Sequence, residues 1–111
     1  MMDHTIEREV ELLKAVAHPL RLVLLEALSQ NEECVCHLST LLDKPQPYVS
    51  KQLAELREAG LVIDRRDAQR IYYRFADPRL AEVLAAVRTL TGRTSINTSE
   101  ALPGCPCPRC T

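Results

Sequence analysis

Apolar residues recur at helical spacing along most of the chain, switch to alternate positions in one stretch, and then return to helical spacing. Ile6, Val10, Leu13 and Ala17 lie on one helical face and predict an amphipathic helix over residues 5–17. Pro19 interrupts, but proline is accepted in a first helical turn. Leu20, Val23, Leu24, Ala27 and Leu28 therefore predict a second helix ending near residues 29–31. Val35, Leu38 and Leu42 mark a short third helix that opens at about Cys34. It must stop at Asp43-Lys44-Pro45, because the residue before a proline is pushed out of the helical region. Pro47, then Val49, Leu53 and Leu56, predict a fourth helix over residues 47–59, with Gly60 as its stop. A short helix, a tight turn and a longer helix make a helix-turn-helix candidate.

The period then changes to two. Leu61, Ile63 and Arg65 alternate with Val62, Asp64 and Arg66, and Ile71, Tyr73 and Phe75 alternate with Arg70, Tyr72 and Arg74. With the polar Asp67-Ala68-Gln69 between them, these runs predict a β-hairpin with one face on the core and a basic tip. Asp77 and Pro78 suit the opening of a last helix striped by Leu80, Val83, Leu84, Val87 and Leu90. After Gly92 the chain turns polar and ends in Pro103-Gly104-Cys105-Pro106-Cys107-Pro108-Arg109-Cys110-Thr111. The expected organisation is one winged helix-turn-helix domain over residues 1–91 and a flexible cysteine-rich tail over residues 92–111. The fold class is mainly α with a small β-hairpin.

Charge changes this picture because it is uneven. The chain holds 14 Lys and Arg against 15 Asp and Glu, a net charge of −1. Residues 1–43 are net −5 and residues 44–74 net +3, so the positive charge gathers over the fourth helix and the hairpin. A small nucleic-acid-binding face can hide in a neutral protein in this way. If Val49, Leu53 and Leu56 point inward, then Tyr48, Ser50, Lys51 and Gln52 project outward near the start of the fourth helix, with Gln46 in the turn beside them. Recognition helices touch base edges with that end. Glutamine can pair with adenine, and lysine and serine suit phosphate or guanine. Arg66 and Arg70 at the hairpin tip suit the DNA backbone or minor groove. Five cysteines in 111 residues are an odd number and cannot all close within the chain. The N-terminus lacks a basic-then-apolar leader and no apolar run approaches the length that spans a bilayer, which predicts a cytoplasmic protein with no membrane partner. Thiols there stay reduced, so metal binding or redox sensing is expected of them. No phosphate loop, Ser-His-Asp set or open metal site is visible, so no enzyme is expected.

The run Leu13-Lys14-Ala15-Val16-Ala17-His18-Pro19-Leu20-Arg21 resembles the opening signature of the ArsR/SmtB family of metal-sensing repressors. Glu33-Cys34-Val35-Cys36-His37-Leu38, Gln46-Pro47-Tyr48-Val49-Ser50-Lys51-Gln52-Leu53, Leu56-Arg57-Glu58-Ala59-Gly60-Leu61-Val62 and Arg70-Ile71-Tyr72-Tyr73-Arg74 resemble it in order, over about residues 10–90. The resemblance implies a homodimer joined through its first and last helices, bound to double-stranded operator DNA and released by a metal or metalloid. The apolar stripes of those two helices fit such a dimer independently, and two-fold symmetry calls for a pseudo-palindromic operator.

Cys34-Val35-Cys36 resembles the Cys-Val-Cys motif of the arsenic- and cadmium/lead-sensing branches. Residues two apart on an ideal helix lie on opposite faces, so one ion held by both sulfurs is expected to unwind the first turn of the third helix. A helix N-terminus lowers thiol pKa and favours the thiolate that metals need. The sequence departs from the arsenic-sensing pattern at Ser39, where a third cysteine is usual, and at His37, where an acidic residue is usual. Cys105, Cys107 and Cys110 can supply the missing sulfur, from the same or the partner subunit. His37 shares a face with Cys34 and suits a borderline ion, though a surface hydrogen-bonding role is the expectation. As(III) or Sb(III) is the expected inducer, with Cd(II) or Pb(II) next. A thiol redox or persulfide switch is the alternative from another class.

Overall fold

A computed structural model describes residues 4–98, 100 and 102–106. The elements run α1 (His4–Val16), α2 (Pro19–Gln30), β1 (Glu33–Cys34), α3 (Val35–Leu42), α4 (Gln46–Glu58), β2 (Val62–Asp67), β3 (Arg70–Phe75) and α5 (Leu80–Thr91). Each has a local cause. His18 precedes Pro19 in an extended conformation, and its Nδ1 accepts the Leu20 N–H at 3.2 Å, capping α2. Asp43 ends α3 in the left-handed conformation (φ 52°), which an aspartate tolerates and which turns the chain toward α4. Gly60 (φ 80°) turns the chain out of α4. The core gathers Leu24, Leu25 and Leu28 of α2, Leu38 of α3, and Val49, Leu53 and Leu56 of α4. Val62, Tyr73 and Phe75 of the hairpin and Leu80 and Leu84 of α5 close it. Burying each such side chain contributes about 1.5–3 kcal/mol, which fixes α3 and α4 on α2 and holds the hairpin at their edge.

Three features differ from the sequence expectation. The third helix opens at Val35, because Glu33 and Cys34 form a two-residue strand. That strand pairs antiparallel with β3, Glu33 opposite Tyr73 and Cys34 opposite Tyr72, giving the sheet order β1-β3-β2. The last helix opens at Leu80, since residues 77–79 form a turn in which Asp77 Oδ1 accepts the Arg79 N–H at 2.9 Å. Arg79 also bonds this carboxylate with its side chain, and the two bonds hold the Asp77 pKa down at about 2. Finally, residues 93–98, expected as part of a flexible linker, run without helix or strand against α2 and α3, joined to them by hydrogen bonds.

Candidate functional site: a reading head beside a cysteine cluster

The buried face of α4 is as the apolar spacing requires, with Val49, Leu53 and Leu56 all fully buried. Gln46, Tyr48 and Lys51 are exposed at the start of the helix, and Ser50 is half-buried beside them. Gln52 does not join them. It is buried, and its Oε1 accepts from Arg21 Nε at 2.9 Å. Arg21 also pairs with Glu55 and donates to the Ala15 carbonyl, so this side of α4 is stitched to α1 and α2. Arg66 stands exposed on β2 at the wing tip. Arg70, paired with Asp67 across the two-residue turn, is half-buried and donates from Nη2 to the Pro106 carbonyl at 2.5 Å. Arg65 is held by Glu32 at 2.6 Å and stacks over the Tyr72 ring at 4.6 Å. The hydrogen bonds to Glu32 and the charge of that carboxylate raise its pKa.

Cys34 and Cys36 are joined by a disulfide, with Cα atoms 5.3 Å apart. Their convergence corrects the expectation that the helix must unwind first. Cys34 is the extended N-cap of α3 (φ −78°, ψ 155°), not a member of its first turn, so the helical rule for residues two apart does not apply to the pair. Its Sγ accepts the His37 N–H at 3.2 Å, the place a capping side chain takes. Cys105 is 4% exposed and packs against both cysteines, with Tyr72 and Leu102 around them. Cys107 and Cys110 lie outside the described residues. Among the described residues, no group of three or more His, Cys, Asp or Glu side chains is placed to hold a metal ion. Cys34, Cys36 and Cys105 bring sulfur atoms alone to this cluster, a donor type that suits thiophilic ions and metalloids better than hard cations.

A cavity of about 270 Å³ joins the two halves of the site, lined by Cys34, Cys36, Gln46, Ser50, Arg70 and Pro106 among others. The cysteine cluster thus opens directly behind the start of α4 and the wing tip.

Two further polar groups are buried, His37 against the sequence expectation and Glu26 without having been singled out. His37 is fully buried rather than on the surface. Its Nε2 lies 2.9 Å from the Thr98 carbonyl, which can only accept, so this nitrogen carries the proton. The same atom is 3.6 Å from a Glu33 carboxylate oxygen. Glu26 is 2% exposed and bonds Arg93 at 2.9 Å and the Ile96 N–H at 2.8 Å. Burial pushes its pKa up, but those two bonds and the charges of Arg93 and Arg88 outweigh it and hold the carboxyl below its ordinary range. The available signal was a lone glutamate inside the buried run Leu24–Leu28, where a charge demands a partner.

A helix-turn-helix with an adjoining basic wing defines the class: a winged helix-turn-helix regulator. The family pattern described as bacterial regulatory protein, arsR family, matches residues 18–64. The chain is 35% identical over 89 residues to the biofilm growth-associated repressor of Xylella fastidiosa, covering 80% of this chain and 78% of that one. It is 47% identical over 76 residues to the protein of the same name from Agrobacterium fabrum (68% of this chain, 65% of that one). With the arsenical resistance operon repressor of Escherichia coli it shares 43% identity over 68 residues (60% and 58%). Among solved structures, HlyU from Vibrio cholerae superposes with a TM-score of 0.75 at 34% identity, over 83% of this chain and 100% of that one. So does the homodimeric winged helix-turn-helix DNA-binding domain of a possible ArsR-family transcriptional regulator from Mycobacterium bovis, with a TM-score of 0.75 at 29% identity (83% and 88%). This chain belongs to the arsR family of bacterial regulatory proteins.

Proposed function

We propose that the chain is a homodimeric repressor that binds operator DNA and leaves it when As(III) or Sb(III) is captured by Cys34, Cys36 and Cys105. The observation that carries this reading is the burial of Cys105 against Cys34 and Cys36, which supplies the sulfur missing at Ser39. Capture needs the reduced chain. Three thiols and arsenous acid then give a trithiolate and three molecules of water, with no change of oxidation state. The capping position of Cys34 favours its thiolate, since the N-terminus of α3 and the His37 N–H both stabilise negative charge there.

DNA would be read by Gln46, Tyr48, Ser50 and Lys51, with Arg66 and Arg70 on the backbone. Capture is coupled to release through the shared cavity. In this reading capture locks Cys105 in the place it already samples, and so strengthens the adjoining contact of Arg70 with the Pro106 carbonyl at 2.5 Å against its competition for phosphate. A coupling of about 1–3 kcal/mol is enough for a 5–150-fold change in operator affinity. Cd(II) or Pb(II) would use the same sulfurs, with Cys107 and Cys110 as further donors. The Cys34–Cys36 disulfide favours a second reading, in which oxidation of that pair by two electrons is itself the signal.

The test is release of a labelled operator fragment under excess reductant. Arsenite is expected to release it from the parent protein and to do so at least tenfold less effectively from Cys105→Ser. Release by oxidant alone, with arsenite inert, would favour the disulfide reading.

A further inference from the structure

Residues 93–98 are held by a set of side chains that read backbone. Ile96 donates its N–H to Glu26 at 2.8 Å, and its carbonyl accepts from Gln30 Nε2 at 2.5 Å. Thr98 donates its N–H to Gln30 Oε1 at 3.0 Å, and its carbonyl accepts from His37 Nε2 at 2.9 Å. All four backbone groups of two alternate residues are thereby satisfied, as one edge of an extended chain is satisfied in a ladder. The Gln30 carboxamide takes the carbonyl of one residue and the N–H of the residue two further on, the pattern a neighbouring parallel strand would offer. Glu26 and Gln30 are four apart on α2 and so share a face, and His37 extends the row from α3. The Ile96 side chain is 49% exposed and takes no part. Arg93, bonded to Glu26, pins the start of the segment.

We infer that Glu26, Gln30 and His37 form a clasp that grips the backbone of residues 96–98 and so positions Cys105 beside Cys34 and Cys36 before any inducer arrives. These are positioning residues, and the inference rests on the three-cysteine reading only for its consequence on inducer binding. Anchoring at Thr98 shortens the tether to Cys105 from about 13 residues, counted from Gly92, to about 7, an increase of roughly 2–3-fold in effective concentration from length alone. The clasp also aims the tail toward α3, so the expected effect of losing it is about 3–10-fold.

The experiment measures the alkylation rate of Cys105 by peptide mass mapping in the reduced full-length chain, alongside arsenite affinity. Gln30→Ala, and separately Ile96→Pro, which removes the N–H bonded to Glu26, are expected to speed Cys105 alkylation 3–10-fold while leaving the circular-dichroism spectrum unchanged. Ile96→Ala, which keeps the backbone, is expected to leave the rate as it is. Equal protection of Cys105 in Gln30→Ala and the parent would overturn the clasp, whatever arsenite does. Faster alkylation in Ile96→Ala as well as Ile96→Pro would also overturn it, since side-chain packing would then hold the tail. Arsenite affinity is expected to fall in Gln30→Ala, with no further fall on adding that change to Cys105→Ser. If Cys105→Ser itself binds arsenite as tightly as the parent, the three-sulfur proposal fails and the clasp stands on the alkylation result.

Discussion

Gln52 and Glu26 show how far a side chain's identity leaves its role open. Gln52 sits one position from Lys51 and reads on the sequence as a base-contacting residue, but its helical angle carries it under α4 to Arg21. The apolar spacing sets which face of α4 is buried and leaves its margin undecided; the charge buried in Arg21, 16% exposed, claims that margin. Glu26 is the reverse case, a charge in a buried run whose partners lie some 70 positions away and could not be paired with it from sequence. Its carboxyl titrates below its ordinary value of 4.5 in the folded chain. Its contribution to holding residues 93–98 is therefore complete above pH 4.5 and is lost as pH falls through the lowered folded value. A carboxyl carbon NMR titration of Glu26 is expected to show a midpoint below 4.5, accompanied by movement of the Ile96 amide. A midpoint at or above 4.5 would mean that burial outweighs the Arg93 and Ile96 bonds.

At the scale of elements, the helices and hairpin were legible because each carries its own periodicity and punctuation. Residues 47–59 were expected for α4 and Gln46–Glu58 are found; the hairpin turns at Ala68-Gln69 as its polar break suggests. β1 was not legible. Two residues carry no period, and Glu33-Cys34 becomes a strand only because β3 offers it an edge. That small strand matters chemically, since it takes Cys34 off the helix and lets its sulfur meet that of Cys36. If α4 and the wing together are the reading surface, Lys51→Glu should weaken operator binding roughly uniformly across sequences. It should also reduce the slope of log affinity against log salt by about 1, because one phosphate is no longer neutralised. Fluorescence anisotropy at several salt concentrations measures both; an unchanged slope would remove Lys51 from the interface.

At the scale of the whole molecule, the apolar faces of α1 and α5 are left uncovered. Ile6, Val10 and Leu13 on one helix and Val83, Val87 and Leu90 on the other are exposed, Leu90 to 87%. A second copy of the chain would cover them, as the sequence stripes suggested. Leu90→Glu is expected to weaken dimerisation by at least about 2 kcal/mol, roughly 30-fold, and operator affinity with it. Sedimentation velocity against concentration checks this, and an unchanged monomer–dimer distribution would place the interface elsewhere. The tail was the least legible part. Its polar composition reads as a linker because the clasp recognises backbone, which leaves no side-chain signature in the segment it holds.

The proposed thiophilic site unites Cys34, Cys36 and Cys105. It is tested most directly by titrating the reduced chain with arsenite and following sulfur-to-arsenic charge-transfer absorbance. One arsenic per chain is predicted for the parent, with weaker absorbance and at least tenfold lower affinity for Cys105→Ser. Identical titrations for the two proteins, or no absorbance change in the parent, would contradict it.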